Sequence, residues 1–229
     1  MKQNTKDKIQ NLKQYFKPKT YNNSFLFSFE GIEGSGKSSQ IQNFTAYLEN
    51  KGMSVSYFRE PGGTVFGEKL RSAILESETP VNKLAEAHLF ASSRAQLLSE
   101  KVIPLLEKPN QIVILDRFID SSIAYQGHAR GLGVDIVLDI HKYYPLNLTP
   151  HKTFYLKIDL ETSMQRQQAR GNAKDYFEKE NNLFYTNLIQ GYDLAAEYFP
   201  ERIAKIDGTN SLEEVSQEII STYEKILIK

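Results

Sequence analysis

The chain has 229 residues with 28 basic and 28 acidic side chains, a formal net charge of zero, and 40% hydrophobic residues. This length and apolar content suit one large domain with a substantial core, and zero net charge argues against a dedicated nucleic-acid binder. With no cysteine there are no disulfides, thiolate metal sites or cysteine nucleophiles; with no bilayer-length apolar run and no secretory h-region, no membrane partner is expected and the expected location is cytoplasmic.

Residues 1–23 carry six lysines, Lys2, Lys6, Lys8, Lys13, Lys17 and Lys19, against the single acid Asp7. So few large apolar side chains cannot order a segment, which predicts a mobile, basic, solvated tail ahead of a domain over 24–229. The other reading is a short helix that docks Ile9, Leu12 and Phe16 from one face.

From Ser24 onward strands and helices alternate. Residues 24–30 predict a buried strand, and 38–50 a helix with Ile41, Phe44 and Leu48 inward. A second strand follows over 53–58. Residues 81–107 predict a long helix, with Pro104 bending or ending its last turn. Strands are predicted over 111–115, 152–158 and 202–206, and helices over 134–144, 160–168 and 175–198. Ser211 and Glu214 form a capping box that opens a final helix with Leu212, Val215, Ile219, Tyr223 and Ile226 on one face. This alternation predicts one α/β domain with a parallel sheet covered on both faces.

Gly31 to Ser38 fits G-x-x-x-x-G-K-[ST] at every fixed position, between a predicted strand and a predicted helix. Such a loop aims backbone N–H groups at phosphate, and the helix N-terminus adds partial positive charge. Lys37 reaches the β- and γ-phosphates of a nucleotide, and Ser38 can hold Mg²⁺. A phosphate loop names a class of ligand rather than a reaction, so other residues must narrow it. Asp116 and Arg117 follow the third strand, where ligands bind in open α/β sheets. Asp116 can hold Mg²⁺ or its waters and Arg117 can fork onto a second phosphate; a surface ion pair is the alternative. Residues 59–64 predict a tight loop, with Arg71 on the helix beyond it. Phe90 and Arg94 share one helix face and suit a planar base, although Phe at this spacing also suits a core. Arg166 and Arg170 precede a small-residue loop, a pattern for a lid over phosphates or for a solvated face.

Five segments, Phe29–Ser38, Arg59–Thr64, Leu89–Arg94, Asp116–Gly127 and Gln165–Gly171, together resemble the bacterial thymidylate kinase family in order and spacing. The resemblance runs from about Phe25 to the C-terminus and implies a P-loop NTPase-type fold, a five-stranded parallel sheet with helices on both faces and a short lid. It implies transfer of the ATP γ-phosphoryl to dTMP, with Mg²⁺, by a homodimer. Gly31, Glu33, Gly34, Ser35, Gly36, Lys37, Ser38 and Ser39 would bind ATP phosphates, and Arg166 would lie along the adenine. Phe90 would stack on thymine and Arg94 would donate to its O4. Ser122 and Gln126 would line the acceptor pocket, and Tyr125 would lie under the deoxyribose and disfavour a 2′-hydroxyl. Arg71 and Arg117 would grip the dTMP phosphate. Glu33 and Glu60 would sit near the sugar and metal-bound waters, while Ser38 and Asp116 hold the metal. Lys37, Arg117 and Arg170 would be catalytic, Arg170 as the lid arginine. Two features depart from the family pattern: residues 1–23 are extra, and Lys174 stands where many relatives have a lid arginine.

Two rival readings fit a phosphate loop. A deoxyribonucleoside kinase would need a general base for a 5′-hydroxyl, whereas two arginines suit an acceptor phosphate. A GTPase switch lacks support: Asn82-Lys83-Leu84-Ala85 misses the aspartate of N-K-x-D, and no D-x-x-G occurs.

Overall fold

The computed structural model describes residues 3–19, 21, 23–170 and 182–227. Five strands, β1 (Phe25–Glu30), β2 (Ser54–Arg59), β3 (Gln111–Asp116), β4 (Lys152–Lys157) and β5 (Ile203–Asp207), form one parallel sheet in the order β2-β3-β1-β4-β5. Central β1 is buried on both faces, and its alternation divides the core. Phe27 and Phe29 face a cluster with Phe44 of α2 (Lys37–Asn50) and Tyr223 of α10 (Leu212–Leu227). Leu26 faces the larger cluster, which holds Leu188 and Tyr192 of α9 (Asn182–Tyr198).

The remaining helices are α1 (Gln3–Lys13), α3 (Val65–Leu75), α4 (Lys83–Leu97), α5 (Ile103–Leu106), α6 (Ile119–Ser122), α7 (Val134–His141) and α8 (Leu160–Arg170). The long helix expected over 81–107 is one continuous helical stretch, α4 followed by a π-helical turn over Leu98–Val102 and then α5, and Pro104 lies in its last turn as expected. A second π-helical turn, Ile123–Ala129, continues α6 and packs against α9. Sequence periodicity did not anticipate this 119–129 segment. The capping box is present: Ser211 N–H donates to Glu214 Oε2 at 3.0 Å and Glu214 N–H to Ser211 Oγ at 3.2 Å.

The N-terminal segment departs from the solvated tail expected for it. Residues 3–13 are helical and α1 packs on α7. Ile9 is fully buried, Leu12 and Phe16 nearly so, and Phe16 meets the edge of Phe199. Lys8 pairs with Asp135 of α7 at 3.0 Å. Composition underestimated this segment because three apolar residues on one face suffice when a docking surface already exists. No described helix is long and apolar enough to cross a membrane.

The sheet register places the site. Asp116 is paired with Phe29 on one side and with Arg59 on the other. The loops after β1, β2 and β3 therefore leave the same edge together, at the carboxyl ends of the strands.

Candidate active site

The phosphate loop follows β1. Gly31 has φ +139°, and a Cβ there would lie 2.5 Å from the carbonyl oxygen of Leu156, so only glycine fits. Gly36 caps α2 in a left-handed conformation, with Ser38 and Ser39 exposed on the first turn. Lys37 Nζ donates to the carbonyls of Gly31 at 3.0 Å and Ile32 at 3.4 Å. Burial, with the charge of Arg117, pushes its amine down to about 8, against the opposing pull of Asp116 and Glu33. α8 is tied to the loop: Ser163 Oγ donates to Glu33 O at 2.7 Å, and Arg166 Nη1 to Gly34 O at 3.2 Å. Gly34 and Ser35 are buried under this contact. α8 ends at Arg170, whose side chain lies outside the described residues, as does Lys174.

Asp116 ends β3 and is 7% exposed. Its Oδ2 accepts a 3.5 Å contact from the Tyr57 hydroxyl, while its Oδ1 is buried with no hydrogen-bond partner. A buried carboxylate oxygen beside a phosphate loop, with a hydroxyl on the next helix, is a donor set that fits Mg²⁺ with its retained waters.

Beside the loop lies a cleft of about 750 Å³, counting its open mouth. Glu33, Glu60, Arg71, Phe90, Arg94, Arg117, Ser122, Tyr125 and Gln126, all nine residues expected around an acceptor, line it. Arg94 is 2% exposed. Its Nε donates to Glu60 Oε2 at 2.7 Å, its Nη1 to Ser122 Oγ at 3.0 Å, and its guanidinium lies over the Phe118 ring. Burial raises the Glu60 carboxyl, and the pair with Arg94 opposes that rise. The second oxygen of Glu60 is buried without a partner. Gln126 Nε2 donates to the buried Glu86 at 2.8 Å. Arg71 Nη1 donates to Pro61 O at 3.3 Å.

Arg117 adopts φ +70°, which turns its side chain back over the loop. Nη1 donates to Gly31 O at 3.2 Å and to the Tyr192 hydroxyl at 2.9 Å, and the guanidinium lies over the Tyr125 ring. Glu30 supports this turn from beneath. Its Oε1 accepts from Phe118 N–H at 2.7 Å and its Oε2 from Ser121 Oγ at 2.6 Å. Burial and the neighbouring Asp120 charge raise the Glu30 carboxyl, while those donors and Arg117 pull it back.

The family model described as thymidylate kinase matches residues 29–219. The chain belongs to the thymidylate kinase family. It is 40% identical over 202 residues to a thymidylate kinase of Thermoanaerobacter sp. (strain X514), covering 88% of this chain and 98% of that one. A thymidylate kinase of Kosmotoga olearia is 39% identical over 198 residues, covering 86% and 94%. Among solved structures, the thymidylate kinase from Ehrlichia chaffeensis superposes with a TM-score of 0.68 at 28% identity, covering 88% of this chain and 99% of that one. Thymidylate kinase membership and the five-stranded sheet agree with the expected fold, and the protein is an enzyme of the nucleoside monophosphate kinase class.

The structure adds to the cleft of this thymidylate kinase family member residues that sequence reasoning did not assign. Arg59, Pro61, Ile74, Leu75, Ser121 and Tyr185 also line it. Arg59 belonged to a recognised segment and was within reach of motif reading. Tyr185 sits on α9, far along the chain from every motif, and only packing brings it here.

Proposed function

We propose that this enzyme transfers the γ-phosphoryl of ATP to the 5′-phosphate of dTMP, giving dTDP and ADP. The observation that carries the reading is a single cleft lined both by Phe90 and Arg94 and by Arg117, which touches the phosphate loop through Gly31. Phe90 supplies an aromatic face for a pyrimidine, and Arg94 a donor for its O4 carbonyl oxygen. Arg71 and Arg117 hold the acceptor phosphate, and Tyr125 lies under a sugar that lacks a 2′-hydroxyl.

Phosphoryl transfer needs alignment and charge neutralisation more than covalent help. Lys37 meets the β- and γ-phosphates, and Arg117 holds the acceptor phosphate beside the same loop. Arg166 lies along the adenine, and Arg170 brings further positive charge from the end of α8. Asp116 and Ser38 would hold Mg²⁺, supported by the unpartnered Asp116 Oδ1. The bound ion would neutralise phosphate charge. A homodimer belongs to the same reading, supported by Val65 and Phe66, which are exposed on α3. Its substrates are cytoplasmic nucleotides, which puts the enzyme in the cytoplasm.

The test is ADP release with ATP, Mg²⁺ and a panel of dTMP, dUMP, dCMP, dGMP and thymidine. dTMP is expected to give the highest kcat/KM, and a preference for dGMP or thymidine overturns the reading.

A further inference from the structure

Arg94 is held by a third side chain. Its Nη1 lies 2.7 Å from Nε2 of His141, a residue on the last turn of α7 that is 1% exposed. The other ring nitrogen, Nδ1, lies 2.8 Å from the carbonyl oxygen of Val137. A carbonyl only accepts and a guanidinium only donates. Nδ1 must therefore carry the proton and Nε2 must offer its lone pair, so both contacts demand the same neutral tautomer. Burial and the charge of Arg94 push the ring down to about 3, so protonation does not compete.

We propose that His141 is a positioning residue for substrate selection: it fixes the rotation of the Arg94 guanidinium so that Nη2 is presented to an exocyclic carbonyl of the pyrimidine. This rests on the reading of Arg94 given above. Glu60, Ser122 and His141 between them take Nε and Nη1, which leaves Nη2 for the cleft that Arg94 lines. A pyrimidine with an amino group at that position meets donor with donor and is rejected. The choice of a neutral acceptor has a physical reason. Glu60 already balances the guanidinium, and a second carboxylate would weaken its remaining attraction for substrate. Imidazole fixes the direction of the fork and adds no charge.

The test compares His141→Leu, which removes the acceptor, with His141→Gln, whose side-chain oxygen keeps one. His141→Leu is expected to raise the dTMP KM about tenfold, leave kcat within about threefold, and narrow the dTMP-over-dCMP ratio of kcat/KM by a similar factor. His141→Gln is expected to recover most of the affinity. In an Arg94→Ala background, His141→Leu should add nothing further to KM, because His141 acts through Arg94. An unchanged KM in folded His141→Leu overturns the proposal, and so does a further rise in the Arg94→Ala background. If His141→Leu does not fold, nitrogen-15 spectra of histidine-labelled wild-type protein decide. An unprotonated Nε2 with a protonated Nδ1 is expected, and an Nε2–H ring or an imidazolium overturns the proposal. A wild-type enzyme that does not prefer dTMP to dCMP would instead remove the reading of Arg94, which separates the two failures.

Discussion

Asp120 and Arg202 form a two-point ion pair, Nη1 to Oδ2 and Nη2 to Oδ1, both at 2.6 Å, with the two side chains almost wholly buried. Thr153 Oγ1 donates to the same carboxylate at 3.0 Å, so the pair ties α6 to the start of β5 across β4. Asp120 also raises the carboxyl of Glu30, which supports the Arg117 turn. Arg202→Leu would leave Asp120 buried and unpaired beside Glu30. The expected loss of stability is about 3–5 kcal/mol, because breaking one side of a buried pair strands the other charge. Urea unfolding of the variant checks it, and a loss under about 1 kcal/mol would contradict it.

Lys37 predicts a pH limit on donor binding. Its amine is held down near 8, so it is charged below that pH and loses its proton above it. The charged form meets phosphate, so ATP affinity should be full on the acid side and fall as pH rises through about 8. Calorimetric titration of ATP between about pH 7 and 9 reads this directly. Lys37→Ala should bind ATP weakly without that inflection and should lower kcat about 10²- to 10³-fold. An inflection that survives in Lys37→Ala would assign it to another group.

The docked α1 predicts a cost for truncating its inner face. Ile9 is fully buried in the main core. Ile9→Ala should lose about 2–5 kcal/mol, the usual range for a large-to-small change in a close-packed interior. Thermal unfolding measures it, with kcat of the folded enzyme expected to stay near wild type. A melting temperature that does not move would mean that α1 contributes nothing to the packed core.

Arg94→Ala should raise the dTMP KM by roughly 10- to 150-fold, from the loss of a charge-assisted hydrogen bond of about 1.5–3 kcal/mol. The geometry adds a second consequence. Glu60 is 3% exposed and Arg94 is its ion-pair partner, so the variant should also be less stable at neutral pH. Steady-state kinetics together with a melting curve separates the two effects. An unchanged KM would remove Arg94 from the pyrimidine site.

Arg170→Ala tests the source of catalytic positive charge. Between its fixed ends the phosphate loop carries Ile32, Glu33, Gly34 and Ser35, none of them a cation. α8, which Arg170 ends, is tied to that loop through Ser163 and Arg166. The expected outcome is a fall in kcat of about 10²-fold or more with little change in the dTMP KM, as for an arginine that acts in the transition state. Kinetics with both substrates varied checks it, and a kcat within about threefold of wild type would assign the charge elsewhere.

The sequence by itself determined the phosphate loop, the individual strands and the cap at Ser211, because each depends on residues within a few positions of one another, and the alternation of strands with helices along the chain pointed to a parallel sheet. Glycine spacing, strand burial and an N-cap are local properties, and local physics survives in a linear pattern. It also led to the expectation of nine residues around an acceptor, through segments whose order and spacing resemble a family, and those nine line one cleft. Only the tertiary structure decided what holds those residues. Arg94 takes Glu60 from the loop after β2, Ser122 from α6 and His141 from α7, and no spacing rule joins these positions. The same holds for Tyr185 in the cleft and for α1, whose three inward residues bind a surface formed by chain more than a hundred residues away. Long-range partners are chosen by how whole elements pack. That choice minimises buried, unpaired charge and empty volume over the entire fold, and no short window of sequence contains it.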